Sequence, residues 1–278
     1  FPGMGERAPD FASLPGFFER ARDERFDLVL QLHGDGRFTN PLAVLMGAEA
    51  TAGSWLPGRY CPDAGRFVPW QEEEPEILKY LRVLAKLGIE AKGTQLEFPL
   101  EEADWREFAR LGLGDASYAV VHPGAQLPSR RWPAERFAEV ADRLSLDGLR
   151  IVLTGSAAEA PLTRQVRMAM RQSAVDLAGC TTLGGLAALV SRARLVVAND
   201  TGVSHVAAAV RTPSVIVSSG SDPGRWAPLN RQLHRVLWHD LECRPCNHRE
   251  CPIGHPCALA IVPRQVIAET QRLLQCAA

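Results

Sequence analysis

From Tyr118 to the end of the chain, short runs of continuous apolar residues alternate with helical patterns, and this alternation constrains the fold more than any other feature. The runs are 118–122, 149–154, 174–178, 194–198, 214–218 and 234–238, the helical segments between them are 134–146, 159–171, 183–192 and 204–210, and 262–274 closes the chain. A strand that is apolar on both faces has to be covered on both, and helices returning between such strands make them parallel. The second half therefore reads as a nearly complete doubly wound α/β domain.

The first half is less regular. An apolar run at 26–32 gives a first strand, preceded by a turn-rich opening and a helix over 14–24. A helical segment at 41–47, an irregular stretch through Pro57, Pro62 and Pro69, and an amphipathic helix over 75–87 stopped by Gly88 follow it. One clear strand makes this half part of a second α/β domain. The Gly-Leu-Gly-Asp-Ala linker at 112–116 sets the expected boundary, giving domains 1–114 and 115–278.

Composition narrows the function classes. No apolar run approaches the roughly 20 residues of a membrane-spanning helix, and a formal net charge of −1 supplies no global field to attract nucleic acid. The basic residues are nearly all arginine, since Lys79, Lys86 and Lys92 are the only lysines. Arginine offers a planar fork suited to phosphates and carboxylates. Seven cysteines, four of them crowded into Cys243, Cys246, Cys251 and Cys257, do not suit a secreted disulfide scaffold, and the protein reads as cytoplasmic. That cluster, with His248 and His255 interleaved, leaves three states open: a zinc or iron–sulfur centre, reversible disulfides, or a reduced structural loop.

Ligands of doubly wound sheets bind beyond the carboxyl ends of the strands, where backbone N–H groups and helix N-termini face outward. Three strand ends here carry unusual chemistry. The first is His-Pro-Gly-Ala at 122–125 leading to Arg130-Arg131-Trp132-Pro133, two arginines beside a helix start, a combination suited to a diphosphate. The second is Asn-Asp-Thr-Gly-Val-Ser-His at 199–205. Gly202 permits a sharp turn, Thr201, Gly202 and Val203 offer successive amides to an anion, and Asp200 can cap the helix or accept from a hydroxyl. The third is Leu-Thr-Gly at 153–155 with Glu159 opening a helix, a place where carboxylates accept ribose hydroxyls. In the first half, 31–40 superficially suggests a dinucleotide turn, but Thr39 stands where the third glycine belongs. His33, Asp35 and Asn40 are instead expected to face an inter-domain cleft.

The order His-Pro-Gly-Ala, Arg-Arg-Trp-Pro, Leu-Thr-Gly, Asp-Leu-Ala-Gly, Ala-Asn-Asp-Thr-Gly-Val-Ser-His and then a cysteine-rich tail resembles glycosyltransferase family 9, which contains the ADP-heptose:lipopolysaccharide heptosyltransferases. The resemblance implies a GT-B fold, two Rossmann-like doubly wound domains facing a cleft, with the N-terminal one incomplete here. The donor would sit on the C-terminal domain, with Arg130 on its phosphates and Arg131 beside it. Gly124 and Ala125 would lie in the same donor loop. Asp200, Thr201 and Gly202 would hold the diphosphate and nearby hydroxyls, Val203 and His205 would be adjacent, and Glu159 would take the ribose.

The expected reaction moves heptose, with inversion, from ADP-heptose to a lipid A–core acceptor, with Arg130 aiding the leaving group and no cofactor or metal. His33 and Asn40 are the acceptor-side candidates. Peripheral contact with the inner face of the bacterial inner membrane is also expected. The alternatives are a nucleotide-sugar binding protein without turnover and a metal-dependent module built on the cysteine loop. The family opens with a strand and a glycine-aspartate loop that supplies a general base, and no such segment precedes Phe26. The expectation is that the base is missing, that this chain alone transfers no sugar, and that Asp35 is the first candidate should it do so.

Overall fold

The computed structural model describes residues 10–276 and divides into two compact units, 1–94 and 95–278. The first unit holds α1 (Leu14–Asp23), β1 (Leu28–Gln31), α2 (Thr39–Leu45), β2 (Ala50–Trp55), β3 (Phe67–Pro69) and α3 (Glu76–Lys86). Its strands form a parallel sheet in the order β1-β2-β3. Val83 of α3 packs on Ala52 and Val68 to make its core. Lys79, fully buried on α3, lies 3.9 Å over the Trp70 ring and pairs with Glu76 at 3.6 Å. The edge strand β1 shows Leu28 and Leu30 to an open apolar groove of about 530 Å³ shared with Phe17, Ala21 and Met46.

Three strands stand where the sequence reading found one. Ala50–Trp55 reads Ala-Thr-Ala-Gly-Ser-Trp, mostly small residues with strand formers only at Thr51 and Trp55, and β3 is three residues ending in proline.

The second unit holds α4 (Glu102–Arg110), β4 (Tyr118–His122), α5 (Ala134–Leu146), β5 (Arg150–Leu153), α6 (Ala160–Ala169), β6 (Ala174–Asp176), α7 (Leu183–Arg192), β7 (Leu195–Asn199), α8 (Gly202–Ala209), β8 (Ser214–Val217), α9 (Pro223–Trp226), β9 (His234–Leu237), α10 (Pro256–Leu259) and α11 (Pro263–Cys276). All six strands are parallel in the order β6-β5-β4-β7-β8-β9. Alternate residues of β4 feed opposite cores, as the pleat requires. Ala119 and Val121 meet Phe137, Val140, Leu144, Val266 and Leu273 on one face, while Tyr118 and Val120 meet Leu189, Val190 and Val206 on the other. Each fully buried side chain of this size contributes about 1.5–3 kcal/mol, so the two faces fix the strand order and the level at which every loop leaves the sheet.

The division falls before α4, earlier than the expected boundary after residue 114. The reason is visible in α4: Glu107 accepts from the Thr182 amide (2.7 Å) and hydroxyl (2.7 Å), and Phe108 and Leu111 pack on the α7 face of the sheet. A side chain at Gly184 or Gly185 would collide with the Asp104 or Glu107 carboxylate, so the small residues opening α7 let α4 dock.

Candidate functional site

Strand order reverses between β4 and β7: the chain goes outward through β5 and β6 on one side and through β8 and β9 on the other. Ligands of open α/β sheets bind at the carboxyl side of such a switch point, because adjacent loops there diverge and leave a crevice. His122 and Ala198 are register partners, so the loops after β4 and β7 leave at the same level.

Asn199 joins those two loops. Fully buried at the end of β7, it donates from Nδ2 to the Pro123 (2.7 Å) and Gly124 (3.3 Å) carbonyls and accepts the Trp132 amide at Oδ1 (2.9 Å). Trp132 is anchored again by Nε1 donating to the Ile261 carbonyl (2.9 Å) and by an edge-on contact with Phe137. Arg131 folds back onto its own loop, Nε donating to the Ala125 carbonyl (2.8 Å). Arg130 differs: Nη2 reaches the Cys246 carbonyl at a long 3.4 Å, while its Nε is buried with no partner among the described residues. A buried donor left in that state costs about 1–3 kcal/mol, and an anion would satisfy it.

On the β7 side, the N-cap of α8 is Thr201, with extended backbone and no side-chain cap. The expected cap from Asp200 is not made, because its Oδ2 accepts instead from the Ser221 hydroxyl after β8. Gly202 does not serve a strained turn either: its φ is outside the left-handed region, and nothing lies within 4 Å of where a Cβ would stand. The first turn of α8 therefore presents uncapped N–H groups and the positive end of a helix to open space. Val203 is buried beneath it. His205 follows, set against Trp226 with ring centroids 6.4 Å apart; burial lowers its pKa, and the nearby Asp200 charge opposes that shift.

The β5 end completes the crevice. Glu159 accepts the Ser156 amide (2.8 Å) and hydroxyl (2.9 Å) on Oε2, and its carboxylate fills the space beside Gly124, where any side chain would collide with it. Burial raises its pKa, but the Ser156 hydrogen bonds prevail, with help from the Arg131 charge, and hold it below the usual range. Burial drives His122 the other way, toward the neutral ring, and Nδ1 lies 3.0 Å from the Thr154 hydroxyl.

The cysteine-rich segment seals the side of the site. Ser129 donates its amide to the Arg249 carbonyl (3.0 Å) and its hydroxyl to the His248 carbonyl (2.5 Å), and its own carbonyl lies 2.7 Å from His255 Nε2. Cys246 donates its amide to the Gly220 carbonyl (2.7 Å), so residues 220 and 221 touch both the Arg130 and the Asp200 sides. All seven cysteines are free thiols, and among the described residues no three His, Cys, Asp or Glu side chains converge on a metal position. Burial pushes the Cys257 thiol up.

In the first unit, Asn40 is turned inward rather than toward a ligand: it is fully buried, accepts from Gln31 Nε2 (2.7 Å) and donates to the Ser54 carbonyl (3.1 Å). The Asp35 carboxylate is partly occupied by the Arg37 amide (2.9 Å) and guanidinium (3.1 Å), and His33 is exposed. The sequence reading named no role for Asn199, Ser221 or Arg244. A polar residue closing the apolar run 194–198 was the one available signal, and it marks Asn199.

The sequence profile described as glycosyltransferase family 9 (heptosyltransferase) matches residues 17–256. Lipopolysaccharide heptosyltransferase 3 of Escherichia coli K12 is 30% identical over 205 residues, covering 71% of this chain and 59% of that protein. Among solved structures, a glycosyl transferase family 9 protein from Veillonella parvula superposes with a TM-score of 0.75 at 24% identity, over 97% of this chain and 80% of that one. The E. coli heptosyltransferase WaaC with ADP gives 0.62 at 22% identity, over 95% and 79% of the two chains. These two likenesses establish a shared GT-B type fold. The chain spans between 36% and 68% of the length of the first curated relatives it matches. A family profile covering most of the sequence, the strand ends described above included, decides the assignment: the chain belongs to glycosyltransferase family 9.

Proposed function

We propose that the second unit binds the nucleoside diphosphate of an activated sugar, ADP-heptose by kinship, and that the protein takes part in its transfer to a lipid A–core acceptor. The observation that carries this reading is Arg130, a guanidinium at the β4 end whose Nε is buried without a partner among the described residues. Support comes from the uncapped first turn of α8 and from the ionised Glu159 at the neighbouring strand end, suited to ribose hydroxyls. The family also contains the lipopolysaccharide heptosyltransferase named above and a heptosyltransferase solved with ADP.

In a single displacement the acceptor oxygen forms a bond to the anomeric carbon as the bond to the β-phosphate oxygen breaks. The electron pair leaves on ADP, the hydroxyl proton passes to a base, and the configuration inverts. Charge grows on the leaving phosphate, where Arg130 and the Thr201, Gly202 and Val203 amides lower the barrier most. Asp35 is the candidate base that this chain offers. With a lipid-borne acceptor, the protein works at the cytoplasmic surface of the inner membrane by peripheral contact. Among the described residues no helix is long and apolar enough to cross a membrane.

Calorimetry with ADP on the 278-residue chain tests the donor site. Arg130→Ala is expected to weaken binding by about 1.5–3 kcal/mol, the scale of hydrogen bonds to charged groups. Arg130→Lys should recover part of this, since the charge stays and the fork is lost. Unchanged affinity in both variants would move the phosphate contact elsewhere.

A further inference from the structure

Arg244 stands in the cysteine-rich segment and has no part in the donor reading above, yet its contacts run into that site. Nη1 donates to the Ser218 (2.9 Å) and His239 (3.3 Å) carbonyls, and Nη2 donates to Ser218 Oγ (3.1 Å) and to the Ser221 carbonyl (2.5 Å). These acceptors are all neutral. Burial pushes the guanidinium below the usual arginine range, against the pull of Cys257, Asp240, Asp200 and Asp222. A half-buried cation is costly unless hydrogen-bonded, and here four bonds to neutral acceptors offset that cost.

The hydrogen-bond polarity shows what is organised. The Ser221 hydroxyl donates to Asp200, so its oxygen must accept the proton of Ser218, 2.8 Å away. Ser218 is left to accept from Arg244. Protons therefore point one way, from cation through two buried hydroxyls to the carboxylate, and such chains polarise one another. The other Asp200 oxygen has no partner among the described residues.

We propose that Arg244 is a positioning residue of the donor site: acting through Ser218 and Ser221, it fixes the Asp200 carboxylate and the Asp200–Thr201–Gly202 turn in the orientation that receives the diphosphate and an adjoining hydroxyl. The inference rests on the donor reading. It also gives the cysteine-rich segment a function without a metal: its Arg244 reaches Asp200 through Ser218 and Ser221, while its Cys246 carbonyl lies 3.4 Å from Arg130 Nη2, so one short stretch borders both sides of the crevice.

The test is ADP titration calorimetry on the whole chain with Ser221→Ala, Arg244→Gln, Arg244→Lys, Asp200→Ala and their pairwise combinations. Residues acting along one chain couple rather than add. Ser221→Ala, Arg244→Gln and Asp200→Ala should each weaken ADP about tenfold, a typical charged hydrogen-bond effect, and every double variant should also stay near tenfold. Arg244→Lys should fall between Arg244→Gln and the unaltered chain. Should Arg244→Gln fail to fold, Ser221→Ala with Asp200→Ala carries the test, because Ser221→Ala leaves the arginine's contacts with Ser218 and with the residue 221 carbonyl in place. A purely structural Arg244 would lower Tm, leave Ser221→Ala silent and give multiplicative doubles near a hundredfold, and either of the last two results overturns the proposal. Absence of ADP binding by the unaltered chain overturns the donor reading itself, and this proposal with it.

Discussion

Asn199→Ala is the sharpest probe of how the crevice is built. The side chain is fully buried and carries two well-formed bonds, to the Pro123 carbonyl (2.7 Å) and from the Trp132 amide (2.9 Å). Truncation leaves both of these groups without a partner in a closed interior. At about 1–3 kcal/mol for each unsatisfied group the expected loss is about 2–6 kcal/mol, a large share of the 5–15 kcal/mol typical of a domain. Urea unfolding followed by tryptophan fluorescence, with Trp55 and Trp70 of the first unit replaced by Phe, reports the second unit. Because the same bonds set the loop that bears Arg130, ADP affinity should fall in parallel. Asn199→Asp refines the argument, keeping the acceptor for Trp132 but turning an anionic oxygen toward the Pro123 carbonyl. Protonation relieves that conflict, so the folded-state pKa of the new carboxyl is raised, and the variant should be closer to the unaltered chain at pH 5 than at pH 7. An Asn199→Ala protein within about 1 kcal/mol of the original, below the cost of one unpaired group, with unchanged ADP affinity, would refute the clamp.

Three further outcomes are expected. Burial lowers the His234 pKa to about 4, and its ring contacts the Ser214 hydroxyl at 2.8 Å. The unfolded chain takes up a proton that the folded one refuses, so stability should decline by up to about 3 kcal/mol as pH falls from about 6.5 to about 4, and a melting series in which His234→Asn keeps the full decline would exclude this group as the cause. Gly124→Ala forces a methyl group into the Glu159 carboxylate that Ser156 anchors; a loss of about 1–3 kcal/mol is expected, and adding Glu159→Ala should relieve it in unfolding experiments, whereas an unrelieved double variant points to another clash. Gly202→Ala meets no protein atom, so Tm should hold while ADP affinity falls, and an affinity equal to that of the unaltered chain would remove the ligand from the α8 terminus.

The sheet of the second unit was legible because its strands are apolar on both faces. Strand 118–122 and helices 134–146 and 183–192 stand where their patterns put them. The loops of the site were legible too, but the direction of each side chain was not. Successive residues at a strand end point to opposite sides, and Asn199 and Asp200 are equally polar. Only the partners decide that the first clamps the β4 loop and the second turns to Ser221. The same ambiguity holds for Arg130 and Arg131, one reaching Cys246 and the other its own loop. Three of those four choices depend on residues 21 to 116 positions away in sequence, which no local period encodes.

Most polar side chains at the switch point are already spent on structure: Asn199 on two loops, Arg131 on Ala125, Ser221 on Asp200 and Ser218 on Ser221. Among the described residues, what is left with unused valence includes the Arg130 Nε, the buried Ser219 hydroxyl, one oxygen each of Asp200 and Glu159, and the first-turn amides of α8. This division makes substitutions sortable by two measurements. Changes in the spent group should lower unfolding free energy and ligand affinity together, because the loop moves with its clamp. Changes in the unspent group should lower affinity alone and leave stability equal or improved, because a buried group without a partner is a cost that only a ligand removes. Arg130 belongs to the second class. A variant such as Arg130→Met, which keeps the length of the side chain without its donors, should therefore melt no lower than the unaltered chain while losing ADP; a lower Tm with ADP binding intact would transfer Arg130 to the scaffold.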